Sequence, residues 1–340
     1  MNKIIFFGSD LHNEPSELAS KIVRSLKPSF KDSMVLSIEN RKIREERKDT
    51  IIVPKLSKNR IIRIAFQSLI LPFYFAFLRI KGYNKIASFW TVHSSYHYFL
   101  FKYLKILRFK IYFSVISGYD KDYSALRYCD VIICQSNRML KFIKNSFPKS
   151  EIILIHPGVN LNVFKPGKKD NLIVIPSVPY LVSLFHERGI DKILYYLKEN
   201  KNVKYKIITR SEEAARFISS QLGGKNVIGK TLTNGEMSRI MSRAKVVPLL
   251  YKDSPDMPLS AIEGLASGAA IVCSDNMGLA DYVKDNECGL VYSNDSNELK
   301  KRDIEKILKT ARFNKKAREL AVRLFDEKDM TERYKSALGD

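Results

Sequence analysis

Short apolar runs of three to seven residues, rich in Ile, Val and Phe, recur along the whole chain with helix-period segments between them. That alternation is the signature of parallel β/α layers, in which strands buried on both faces read as continuous apolar runs. In the first half the runs fall at residues 3–7, 34–38, 50–53, 86–92, 110–116, 130–134 and 152–155. In the second half they fall at 172–175, 203–208, 226–228, 245–250, 269–273 and 289–292. Helical patterns are expected over 14–26, 137–145, 188–200, 212–222, 234–243 and 259–267, and residues 297–338 read as helix only. Between the two halves lies 156–169 (HPGVNLNVFKPGKK), rich in Pro, Gly and Asn and without period. At 340 residues the chain is long enough for two such domains. The expected division is 1–165, 166–315 and a final helix over 316–340 that packs back on the first domain.

Two open parallel sheets place ligands at the carboxyl ends of their strands, and two facing sheets put a cleft between them. The second half carries the most informative segment for such a site, residues 253–281 (DSPDMPLSAIEGLASGAAIVCSDNMGLAD). A polar loop follows the strand at 245–250. Pro258 then stands where a helix begins, a position Pro favours. The free amides around Met257, Pro258, Leu259 and Ser260, with the helix dipole behind them, form a site suited to a pyrophosphate. Glu263 follows one turn later, where its carboxylate can accept hydrogen bonds from a cis-diol such as ribose hydroxyls. Gly268 ends the helix.

The run from Pro258 to Asp275 (PLSAIEGLASGAAIVCSD) resembles the C-terminal motif of retaining GT-B glycosyltransferases of family 4, written E-x7-E followed by A-x-x-x-G-x-P-V-V-x-x-D. Glu263 matches the second Glu, which in that family holds the donor ribose. Pro255 stands in place of the first Glu, and Asp256, one residue on, is the carboxylate that could substitute beside the donor sugar. Three further segments resemble the family pattern in order: 127–136 (RYCDVIICQS), the linker 156–166 (HPGVNLNVFKP) and 187–194 (ERGIDKIL). In the last of these Arg188 occupies the place of the Lys that grips the diphosphate; Arg keeps the charge and adds bidentate geometry. The end of the chain, 325–338 (FDEKDMTERYKSAL), resembles the family's returning helix. Departures also stand out. VIPSV at 174–178 lacks the usual Gly-Arg, GSDLHN at 8–13 lacks the second Gly, and Ser117 of SGYD takes the place of the family's His. His93, one strand earlier, and Asp120 are the remaining candidates for catalytic work, Asp120 by orienting an acceptor hydroxyl. Lys230, after NVIG, and Arg210, after the strand at 203–208, could reach the nucleotide.

The resemblance implies a GT-B fold, two Rossmann-like parallel-sheet domains facing across a cleft. It implies transfer of a sugar from a UDP- or GDP-linked donor with retention, by front-face attack in which the departing phosphate takes the acceptor proton. Arg188, helix-start amides and Glu263 would hold the donor without a metal. The sequence has no H-E-x-x-H and no Cys/His cluster, and no Walker or G-x-G-x-x-G loop, which argues against a P-loop NTPase or a dinucleotide dehydrogenase. Two other readings stay open: a nucleotide-sugar epimerase of the same fold, and a non-catalytic relative that binds membrane or glycan.

Charge points to a further partner. The net charge is +22, and from Thr50 to Tyr119 there is no Asp or Glu but there are 11 Lys and Arg. The stretch from Phe66 to Phe113 holds 16 of the chain's 37 aromatic residues. A basic, aromatic face suits an anionic membrane surface better than nucleic acid, because no RNP, KH or zinc-finger pattern is present. Within it, 63–79 (RIAFQSLILPFYFAFLR) has 15 mostly apolar residues between two Arg. That is short of the roughly 20 a spanning helix needs. The segment reads either as a helix lying in the membrane interface or as a core helix. An enzyme at the inner face of the cell membrane, cytoplasmic and peripheral, acting on a lipid-linked glycan for a surface polysaccharide or lipopolysaccharide, is the resulting expectation. The four Cys include no C-x-x-C pair, in keeping with a reducing compartment.

Overall fold

The expected apolar runs all form strands, and all of them pair in parallel. The computed structural model describes the chain except residues 1–2, 10, 12–17, 40–48, 55–59, 90–93, 117–121, 225, 253–256, 294–298 and 340. In the first half the order is β1 (Lys3–Ser9), α1 (Leu18–Leu26), β2 (Ser33–Glu39), β3 (Thr50–Pro54), α2 (Arg60–Ile80), β4 (Tyr83–Phe89), α3 (Ser94–Ile106), β5 (Lys110–Ser114), β6 (Val131–Cys134), α4 (Asn137–Ser146) and β7 (Glu151–Leu154). The second half continues with β8 (Leu172–Val178), α5 (Ile190–Glu199), β9 (Lys204–Thr209), α6 (Glu212–Leu222), β10 (Val227–Gly229), α7 (Asn234–Met241) and β11 (Val246–Leu249). It ends with α8 (Leu259–Ala266), β12 (Ala270–Ser274), α9 (Ala280–Asp285), β13 (Gly289–Tyr292), α10 (Lys301–Lys309), α11 (Arg312–Leu324) and α12 (Glu327–Gly339).

The chain divides into two units, residues 1–156 with 330–340, and residues 157–329. These limits differ from 165 and 315 for a packing reason. From residue 157 the linker is already bound to the second unit: Arg318 donates to the carbonyls of Phe164 at 2.9 Å and Ala266 at 2.6 Å, and Val159 pairs with Asp326. Helix α11 packs against α8 in that same unit. It is anchored by the Asn314 amide, which donates to the carbonyls of Gly268 and Lys245.

In the first unit the seven strands run β3-β2-β1-β4-β5-β6-β7. One face of this sheet is covered by α2, α3 and α4 through Leu71, Phe75, Leu78, Leu100, Phe101, Leu104, Met139 and Ile143. The other is covered by α1 and α12, with Met330, Tyr334 and Leu338 at i, i+4 and i+8 facing Phe89, Tyr112 and Ile133. Tyr334 Oη shares a buried 2.8 Å hydrogen bond with Ser114 Oγ. Buried Lys85 donates to the last carbonyls of α12, at 2.8 Å on Leu338 and 3.1 Å on Gly339, where a cation satisfies orphan acceptors and meets the negative end of the helix dipole.

In the second unit the six strands run β10-β9-β8-β11-β12-β13. Helices start where polar side chains can cap them. Ser211 accepts from the Ala214 amide at the head of α6, and Thr233 with Glu236 forms a reciprocal capping box at the head of α7. The strand order reverses between β8 and β11, which are joined at Ile173 and Val246. That reversal is the topological switch point where ligands of open α/β sheets bind.

Candidate functional site

Two loops meet at the second unit's switch point, one from β8 to α5 and one from β11 to α8. The first carries Arg188. The sequence pattern placed Arg188 at the start of a helix; the helix instead begins at Ile190, because Gly189 turns the chain through the left-handed region at φ 61°. Arg188 therefore stands in the turn ahead of α5. That turn is pressed against the second loop so closely that a Cβ on Gly189 would lie 2.2 Å from the Leu250 carbonyl oxygen. The Lys252 amide donates to the Glu187 carbonyl at 2.9 Å, tying the two loops together again. The exposed guanidinium of Arg188 lies 4.4 Å from the centroid of the buried Tyr251 ring, a cation–π contact that holds a flexible side chain at the strand ends. Burial pushes the Tyr251 hydroxyl above its ordinary pKa, and Arg188 works against that shift.

The second loop leads into α8. Met257 is buried in the core and anchors the entry. Pro258 is the N-cap residue, one position before the first helical residue, and its carbonyl accepts from the Ala261 amide at 2.9 Å. Pro has no N–H and no side-chain oxygen, so it leaves the helix start uncapped. The amides of Leu259 and Ser260 have no partner among the described residues. An eight-residue helix thus presents free N–H groups and the positive end of its dipole at the strand ends. Glu263 lies one turn further along. It is only 6% exposed, on a helix whose residues from Ser260 to Ala266 are all buried.

The other expected cations are spread along the same sheet edge. Arg210 follows β9 and is exposed, one strand from β8. Lys230 follows β10, two strands from β8, or about 10 Å at the usual strand spacing. Lys230 is exposed and bound to Glu236 at 3.2 Å. The structure therefore brings Arg188, the α8 start and Glu263 to one switch point and sets Arg210 and Lys230 progressively further along. The three residues expected to act on the sugar or the acceptor, Asp256, Asp120 and His93, lie outside the described residues, as does Ser117.

Three residues at the site escaped the sequence reading. Besides Tyr251 they are Lys252 and His186, whose side chains meet Nζ to Nε2; the other ring nitrogen of His186 is 2.7 Å from Asp191. With Lys as the donor, His186 is the Nδ1–H tautomer and donates to the Asp191 carboxylate. A second cation is thus held beside Arg188. The available signal was position alone: Tyr251 and Lys252 directly follow the carboxyl end of the strand next to the switch point.

Two Rossmann-like parallel-sheet units in one chain are the GT-B fold, which the chain shares with solved structures. Within the chain, residues 161–322 match the family model of Glycosyl transferases group 1. No curated protein sequence matches the chain. Solved structures share the fold along their whole length at low identity. Sucrose-phosphate synthase from Thermosynechococcus elongatus is 14% identical, with a TM-score of 0.77 over 99% of this chain and 98% of that one. HepE from Anabaena, solved with UDP and glucose, is 11% identical, with a TM-score of 0.72 over 100% of both chains. WaaG, a glycosyltransferase involved in lipopolysaccharide biosynthesis, is 13% identical, with a TM-score of 0.68 over 98% of this chain and 99% of that one.

Proposed function

We propose that this protein is a retaining glycosyltransferase that moves a sugar from a nucleotide-sugar to a lipid-linked glycan acceptor at the inner face of the cell membrane. The observation that carries the reading is that Arg188 and the uncapped start of α8 stand on the loops that follow the two strands at the switch point of the matched domain. The donor's diphosphate sits against the Leu259 and Ser260 amides and the Arg188 guanidinium. As the glycosidic bond breaks, negative charge grows on the β-phosphate, and these preorganised donors stabilise it. Lys252, held by His186, adds a second positive charge. Glu263 accepts hydrogen bonds from the ribose hydroxyls. Arg210 and Lys230, further along the sheet edge, face the base end of the donor. A UDP-linked donor is favoured over a GDP-linked one, since HepE, of the same fold, is described with UDP and with UDP-glucose.

The acceptor hydroxyl attacks the anomeric carbon from the face the phosphate leaves, and a phosphate oxygen takes its proton, so the configuration is retained. Asp256 is assigned to the donor sugar and Asp120 to the acceptor hydroxyl, and His93 is kept as a further catalytic candidate, all three outside the described residues. The leaving diphosphate is neutralised by the protein's own cations and amides, without a metal.

The test is a thermal-shift panel of UDP, GDP, ADP and CMP with their sugar conjugates, with and without EDTA. A shift for a UDP or GDP species that EDTA leaves intact, followed by acceptor-dependent transfer, is expected. No shift for any nucleotide refutes the donor site. A sugar altered with no acceptor present indicates an epimerase, and binding without turnover indicates a non-catalytic relative.

A further inference from the structure

Helices α2 and α3 lie side by side over one face of the first unit's sheet, joined where Tyr103 Oη donates to the Pro72 carbonyl at 3.3 Å. Each has an inner and an outer face. On α2 the inner face is Gln67, Leu71, Phe75 and Leu78, with Phe75 fully buried. The outer face is Leu69, Phe73, Phe77 and Ile80, at i, i+4, i+8 and i+11, with Phe73 70% and Ile80 84% exposed. On α3 the outer stripe is Phe99, Lys102 and Ile106. Among the described residues 11 large apolar side chains are exposed, and six of them stand on these two helices. Together they expose on the order of 700 Å², above the roughly 300–600 Å² of the largest apolar patch on an ordinary soluble monomer.

The charge around this surface has one sign. Residues 50–119 contain no carboxylate. Several of the cations there are spent inside the unit: Arg79 donates to the Leu107 and Tyr83 carbonyls, Lys85 to the end of α12, and Lys105 to Asp130. Among the described residues, Lys81, whose Nζ lies 5.5 Å from the Phe77 ring centroid, and the exposed Lys102 and Arg108 stand at the rim. A second copy docking through the same patch would bring two acid-free, positively charged faces together, which is repulsive. An anionic bilayer offers both complements, an apolar layer for the rings and phosphates for the rim. No helix among the described residues is long and apolar enough to cross a membrane.

We infer that the outer face of α2 and α3 is a docking surface for an anionic lipid bilayer. Phe73, Phe77, Ile80, Phe99 and Ile106 enter the headgroup–acyl boundary, and Lys81, Lys102 and Arg108 lie at the level of the lipid phosphates. This deepens the proposed function by naming the part of the chain that meets the membrane bearing the acceptor. Phe75, in the same aromatic run, is core and takes no part.

The experiment is co-sedimentation with phosphatidylcholine vesicles with and without phosphatidylglycerol, alongside thermal melting and the UDP shift as readouts of the fold and of the donor site. Wild type is expected on the phosphatidylglycerol vesicles only. Phe73→Ser with Phe77→Ser should lower the partition constant at least about tenfold, since two rings leave the acyl boundary, with melting and the UDP shift unchanged. Lys81→Gln with Lys102→Gln should weaken binding and flatten its salt dependence. If the α2 pair fails to fold, Phe99→Ser with Ile106→Ser tests the same surface from α3. Wild type that ignores anionic vesicles overturns the inference, as do folded serine variants that bind like wild type. A wild-type dimer that the serine variants dissociate would assign the patch to a second copy and overturn it too. Vesicle binding without a UDP shift would leave the surface standing and remove the donor site; the reverse result would do the opposite.

Discussion

Gly189→Ala tests whether the turn carrying Arg188 is set by its contact with β11. The substitution has two costs that can be separated. Gly189 has φ 61°, and an L side chain there costs about 1–2 kcal/mol. Its Cβ would also lie 2.2 Å from the Leu250 oxygen, 2.6 Å from the Leu250 Cβ and 2.9 Å from the Leu250 carbonyl carbon. Leu250 is buried directly after β11, a strand paired on both sides, so the turn has to move, by about 1 Å to restore ordinary contact. Overpacking of this kind adds roughly 1–3 kcal/mol, for a total of about 2–5 kcal/mol. Gly223→Ala supplies the control. It has φ 64° at the end of α6 with no atom within 4 Å of the added Cβ, so it pays the backbone cost alone. Urea unfolding should place Gly189→Ala below Gly223→Ala by the overpacking difference. Calorimetry on the folded variant should show UDP affinity reduced at least about tenfold, because a shift of about 1 Å unseats the guanidinium from Tyr251. Equal unfolding midpoints for the two alanine variants, with wild-type affinity in Gly189→Ala, would refute the proposed coupling between this turn and the site.

Glu263→Gln keeps the packing of α8 and removes the charge; nucleotide affinity should drop by about 1–3 kcal/mol, and unchanged affinity sinks the ribose assignment. Arg188→Met should weaken UDP much more than uridine, by about 1.5–3 kcal/mol for the lost charged hydrogen bonds, while equal losses for both ligands would place Arg188 away from the phosphates. Glu236 is held down to about 2, from 4.5, first by the Thr233 amide, then by the Thr233 hydroxyl and by Lys230. A depressed carboxylate contributes stability that is fully present above its unfolded pKa and fades as the pH falls through the folded value. The α7 cap should therefore hold at pH 5 and weaken only as the pH falls from about 4.5 towards 2, and an NMR titration giving Glu236 an ordinary midpoint would contradict this.

How far the sequence foretold the structure differs by element, and the reasons are physical. Every expected strand is present, because a strand buried on both faces of a parallel sheet needs an unbroken apolar run and little else supplies one. Helices with one apolar stripe and a capping residue, such as α6 behind Ser211, were equally plain. Helix α3 was not assigned, since SSYHYFLFKYLKI has the Tyr and Phe content of a strand, and α9 is too short, at six residues, to show a period. Helix α2 was found but its faces were not. With apolar residues all round, nothing in the spacing says that Phe75 points inward and that Phe73 and Phe77 point out; the packing of α2 on the sheet decides it.

The site divides in the same way. Pro258 and Glu263 were legible as a helix start and a position one turn on, because a helix pattern is local, and Arg188 came from the resemblance of residues 187–194 to the family motif; the roles of all three are proposals. Tyr251, Lys252 and His186 were not, because what they do depends on β8 lying next to β11. That adjacency joins residues 173 and 246 across the sheet, with two strands and three helices between them in sequence. No local period encodes it. The strand order places Tyr251 under the Arg188 guanidinium and Lys252 against His186, and it also presses Gly189 onto Leu250. Once the order is known, a cation and an aromatic residue directly after the strand next to the switch point become candidates in any sheet of this kind.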